Sequence, residues 1–206
     1  MSERALPSTV ESLKWIYGVV ICLSITEAFR QFALDANSPV PGIQWDRFLP
    51  LISLLLLVVP FYHGMSRYFC EMYDPSKIDR HYGLWLLVDS FAFVAEAGLF
   101  FVLARSLSNS LWLQFNVAVI ALLSGDVLWG VFAWRYRTCS ISFWVIVNAC
   151  TLPFLVAIVS LSPNGISWRA MSLASFVILV RAVGDYWAGW RFYFPQRTQD
   201  ETQRNQ

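Results

Sequence analysis

The chain has 206 residues, 57% apolar and 14% charged, with a mean hydropathy of +0.51 and a formal net charge of +1. That apolar content excludes an ordinary water-soluble domain. The absence of any basic block or stripe argues against nucleic acid as a partner.

A bilayer core about 30 Å thick needs about 20 mainly apolar residues per crossing helix. Six such runs with short connections occupy nearly all of the sequence. The expectation is an all-α, polytopic membrane protein: a compact bundle of six transmembrane helices over residues 12–194, between an N-terminal segment 1–11 and a polar tail 195–206.

The first helix is predicted over 12–34. It carries Glu27 and Arg30 where a signal peptide would want an apolar core and a small-residue cleavage site, so it is expected to be retained. The run Asp35-Ala36-Asn37-Ser38-Pro39 ends it. The second helix is predicted over 47–70 with Pro60 inside, where a kink is expected. The most charged connection, Glu71 to Tyr82, leads to a third helix over 83–105. The fourth is expected over 111–134 and the fifth over 141–161, interrupted by Pro153. Ser162-Pro163-Asn164-Gly165 is a strong turn, and the sixth helix is predicted over 168–194.

Cytoplasmic loops collect Lys and Arg. One face has Arg4, Lys14, Arg67, Lys77, Arg80, Arg135, Arg137, Arg191, Arg197 and Arg204, and the other has Arg47, Arg105 and Arg169. Ten against three places both termini on the cytoplasmic side, and the compact form with minimal loops points to a bacterial inner membrane. Trp15, Tyr17, Trp45, Trp112, Trp134, Tyr136, Trp168, Trp190 and Tyr193 fall at helix ends, as headgroup-level aromatics do, whereas Trp129 and Trp144 are better read as core. Of the four cysteines, Cys22 and Cys150 sit in apolar runs and read as small packing residues; Cys70 and Cys139 complete the set, with no C-x-x-C pair among them.

The main functional clue is ionisable side chains inside apolar runs. Each costs about 2.5 to 3.5 kcal/mol at the bilayer centre, so it must face the bundle interior or water and find a partner. His63 and Arg67 share one face of the second helix, Asp89 and Glu96 one face of the third, and Arg181 and Asp185 one face of the sixth. With Asp126 in the fourth helix these form one expected polar interior, Asp89, Asp126 and Asp185 opposing Arg67 and Arg181 with His63 between, and Asn148 of the fifth helix joining by hydrogen bonds. Glu27 and Arg30, one turn apart, form a second, more outward station. Such a network fits an ion or proton path, or a set of buried pairs that fix helix register.

Enzyme signatures are weak. Gly125-Asp126 and Gly184-Asp185 match only the end of the intramembrane aspartyl protease motif. A CDP-alcohol phosphotransferase lacks its acid pair, a rhomboid-type protease lacks its first glycine, and retinal lacks an intramembrane lysine, since Lys14 and Lys77 lie at helix ends. His63 and His81 are too far apart to hold zinc, so neither cofactor nor metal is expected. Besides the lipid bilayer, the partners to consider are a second copy of the chain, and a cytoplasmic protein or anionic lipid on the basic loop and inner face.

Overall fold

A computed structural model describes residues 5–33, 42–73, 82–136, 142–162 and 164–194. Among these there are only helices and turns: α1 (Ala5–Ala33), α2 (Phe48–Met72), α3 (Tyr82–Arg105), α4 (Trp112–Tyr136), α5 (Ser142–Ser160), α6 (Trp168–Ala188) and a single turn α7 (Trp190–Tyr193). Six of the seven are long and apolar enough to cross a membrane. The expected loop 74–81, the tail 195–206 and Cys139 lie outside the described residues.

The surface is turned inside out relative to a soluble domain. Phe91, Leu128, Phe154, Phe176 and Val183 are exposed, while Asp89, Asn116, Asn148, Arg181 and Asp185 are buried. In water so much exposed apolar surface would aggregate, whereas in hydrocarbon it is the favourable face. The hydroxyls that must live there are satisfied locally. Ser24, Ser53, Thr151 and Ser175 each have the carbonyl four residues back within donating distance, and Ser53 Oγ also lies 2.8 Å from Ser175 Oγ, so that one of these two hydroxyls can instead donate to the other and tie α2 to α6.

Contacts run in a ring from α1 to α3, α4, α5, α6 and α2, and α2 closes the ring against α1 while also touching α3. The N-terminal helix therefore packs mainly on the third helix and not on its sequence neighbour. The turn before α6 forms as expected: Gly165 N–H donates to the Ser162 carbonyl at 3.1 Å, and Gly165 takes φ +104°, where a side chain would be strained. Ser167 then caps α6 by accepting from the Ala170 N–H at 3.3 Å.

Several expectations are corrected. α1 begins at Ala5 instead of residue 12, and α5 runs through Pro153 without interruption. The sixth helix does not reach 194. It stops at Ala188, where Gly189 donates its N–H to the Asp185 carbonyl at 2.8 Å, and the chain makes one separate turn. At this break only glycine fits, because the Phe143 ring occupies the space a Cβ would need. Cys22 and Cys150 face outward and do not pack in the core. Tyr17, Trp112 and Tyr193 are buried in protein, whereas Trp15, Trp45, Trp134, Trp168 and Trp190 are exposed.

Candidate functional site

The polar interior is centred on Arg181. Its side chain is 0% exposed, as is that of Asp185 one turn later, and Nη1 lies 3.6 Å from Asp185 Oδ2. Arg181 Nε donates to Asn148 Oδ1 at 2.8 Å, and the guanidinium carbon stands 4.7 Å from the centroid of the Phe61 ring. Phe61 is held in turn by Phe100 and Trp144 at 5.5 and 6.3 Å between ring centroids.

Asn148 is the hinge of the arrangement. Its Oδ1 accepts from Arg181 while its Nδ2 donates to Asp126 Oδ2, so one amide uses both ends to join α4 to α6. At the other end, Tyr193 O–H donates to Asp185 Oδ2 at 3.0 Å. The result is a continuous chain, Asp126, Asn148, Arg181, Asp185 and Tyr193, crossing four elements. His63 flanks its end, with Nδ1 3.4 Å from the Tyr186 hydroxyl and its ring 4.8 Å from that of Tyr193.

Three carboxyls stand outside this chain. Glu96 accepts from Tyr17 O–H, which accounts for the packing of α1 on α3. Asp89 Oδ2 accepts from Tyr68 O–H at 3.2 Å and from Tyr73 O–H. Asp89 and Glu96 thus share a helix but serve different hydroxyl partners. Glu27 pairs with Arg30 at 2.7 Å and also accepts from Gln31 Nε2 at 2.8 Å, an ion pair with an open side, Arg30 being half exposed.

The single interior expected from the sequence is therefore divided. Asp126, Asn148, Arg181 and Asp185 come together with His63 at their margin, while Asp89 and Glu96 are held apart. Arg67 does not oppose the acids. Its Nε donates to the Phe192 carbonyl at 3.0 Å, and among the described residues it pairs with no carboxylate. The chain-end turn α7 has taken the place of an acid as its partner.

Sequence reasoning missed the tyrosines. Tyr17, Tyr68, Tyr73 and Tyr193 each donate to an interior carboxylate, yet Tyr17 and Tyr193 read as headgroup aromatics from their positions near helix ends. The signal was the excess of acids over bases inside the spans, which demands neutral O–H donors. Asn116 was missed too; it is buried and donates to the Trp112 carbonyl at 2.9 Å.

The two Gly-Asp pairs do not make a protease dyad. Asn148 and Arg181 stand between Asp126 and Asp185, joined by two hydrogen bonds and an ion pair, whereas a dyad needs two carboxyls sharing one proton. Nor do their glycines serve close packing, since a Cβ on Gly125 or Gly184 would meet open space. Compared with known protein families, with curated proteins and with solved structures, the chain matches none.

Proposed function

We propose that this protein passes protons, or a small cation, through the membrane along the chain from Asp126 to Tyr193. The observation that carries the reading is a charge imbalance. The chain holds the carboxyls of Asp126 and Asp185 against one permanently charged guanidinium among the described residues, Arg181. Two carboxyls and one guanidinium are not balanced in a medium of low dielectric constant without further positive charge, which a proton or a cation would supply. Unused hydrogen-bonding capacity sits at the same place. Among the described residues, Arg181 Nη1 and Nη2 and Asp185 Oδ1 are buried without a hydrogen-bond partner.

Asn148 is central to this reading because it connects the acid of α4 to the pair on α6 without carrying charge itself. The test is flux in liposomes carrying the purified protein and a trapped pH-sensitive dye, driven by a potassium diffusion potential. The wild type is expected to acidify or alkalinise the lumen with the sign of the potential. Asp126→Asn, Asp185→Asn and Asn148→Leu should each slow this by about tenfold or more. Flux no faster than in protein-free vesicles, or unchanged in all three variants, overturns the proposal.

The accompanying topology has both termini on the cytoplasmic side, which the lysine and arginine bias supports, in a bacterial inner membrane, a reading that rests on the compact form with minimal loops. Reporter fusions at Ser38, Asn109 and Asn164 are expected to read outside. One of them reading inside would remove the assigned orientation.

A further inference from the structure

A second feature lies apart from the buried chain, on the far side of the Gly189 break. There α2, α5 and the α6–α7 turn enclose a pocket of about 500 Å³, within the range of small-molecule sites. Its walls carry Arg67 and Glu71 from the last turns of α2, Phe143 from the start of α5, and Trp187, Trp190 and Arg191 from the break itself. We propose that this pocket binds one anionic phospholipid, with the arginines on its phosphate and the aromatic rings against its glycerol and upper acyl chain.

Four observations support this occupant. Position comes first: the pocket sits where two membrane-spanning segments end, at Met72 and Ala188, which is headgroup depth for a lipid alongside them. Charge comes second. Two arginines and one glutamate sum to +1, the complement of a phosphodiester monoanion, and guanidinium is the side chain whose paired N–H groups match phosphate oxygens.

Third is the preparation of Arg67. Its Nε is already bound to the Phe192 carbonyl at 3.0 Å, which fixes the guanidinium at the pocket wall and leaves its terminal nitrogens as the remaining donors. Fourth are the tryptophans. Trp187 is 83% exposed and Trp190 59%, on either side of Gly189, where amphipathic indoles meet glycerol and headgroup. A free phosphate ion could use the arginines but would leave Trp187, Trp190 and Phe143 without a role. Basic pockets between transmembrane helices are established lipid headgroup sites in general.

The experiment uses the full chain, purified and delipidated in mild detergent, titrated with phosphatidylglycerol, phosphatidylcholine or inorganic phosphate and read by native mass spectrometry. One phosphatidylglycerol should be retained in preference to zwitterionic phosphatidylcholine. Arg191→Gln, a change on an exposed side chain, should weaken that binding about fivefold, and Arg67→Gln/Arg191→Gln about thirtyfold, from about 1 kcal/mol per arginine near a lipid headgroup. Equal retention of the two lipids, or an Arg191→Gln protein that binds like the wild type, overturns the proposal. So does displacement of phosphatidylglycerol by millimolar inorganic phosphate, which would make the site one for the free ion. None of these readouts depends on flux through the buried chain, so the two proposals fail independently.

Discussion

Asp185→Ala is expected to lower the stability of the protein by about 3 to 5 kcal/mol, the cost of leaving a fully buried guanidinium without its carboxylate. Arg181 and Asp185 are both 0% exposed at the side chain, so solvent cannot take over the lost partner. The change also strips the Tyr193 hydroxyl of its acceptor, and with it the contact that folds α7 back under the bundle. Removing both charges should be milder. In Arg181→Met/Asp185→Leu no uncompensated ion remains from the pair, and at least half of the lost stability is expected to return, because well-packed apolar replacements of buried pairs are commonly neutral or better. Unfolding by increasing sodium dodecyl sulfate in mixed micelles measures both variants. A loss below about 1 kcal/mol for Asp185→Ala would show that water reaches the pair and that its burial energy has been misjudged.

The second large effect is expected at Gly64, where a single methyl group has nowhere to go. A Cβ there would stand 2.5 Å from Trp144 Cη2 and 3.3 Å from the Tyr193 hydroxyl oxygen. Trp144 is only 3% exposed and is packed against Phe61, so the indole cannot swing aside without disturbing the ring beneath Arg181. Gly64→Ala should therefore destabilise by about 1 to 3 kcal/mol, as overpacking does. Gly64→Ala/Trp144→Phe, which reopens the space, should recover part of it, and the non-additivity in a double-mutant cycle measures the clash directly. Simple additivity would mean that the two residues do not touch in the membrane. Gly98→Ala is the control, since a Cβ there meets open space and the change should be neutral or slightly stabilising through helix propensity.

How much of this was legible in the sequence depends on the range of each interaction. Arg181 and Asp185 could be paired by inspection because i and i+4 meet on one helix face. Asn148 could be assigned to the interior because an amide among the apolar residues of α5 has no other place to satisfy its four hydrogen bonds. Glu27 and Arg30 were likewise close neighbours on one helix.

What could not be read was anything that depends on the break at Gly189. A helix continued to residue 194 keeps the Phe192 carbonyl and the Tyr193 hydroxyl on the helix axis. The stop at Ala188 turns them back to Arg67 and Asp185. The glycine itself was visible, but glycine is common in membrane helices and is not by itself a stop. The contact that demands glycine there comes from the Phe143 ring, 46 positions earlier in the sequence and on a different helix. The separation of Asp89 from Glu96 was hidden for a similar reason. Both lie on one face of α3, but their tyrosines come from α2 in one case and α1 in the other, and helix order in space is not written in helix periodicity.

The packing of α1 on α3 also imposes an order in time. Tyr17 and Glu96 are 79 residues apart in the chain, and at about 5 to 20 residues per second of synthesis their meeting is delayed by roughly 4 to 16 seconds after Tyr17 is made. Through that interval α1 must wait in the membrane beside α2 with its phenol facing lipid or water. Arg181 emerges later still, 33 residues behind Asn148 and after Asp126. Asp126 and Asn148 are thus laid down before Arg181, and Asp185 four residues after it. Assembly of this bundle is completed from its C-terminal end, where the last turn to be made, α7, closes the network that the first helices leave open.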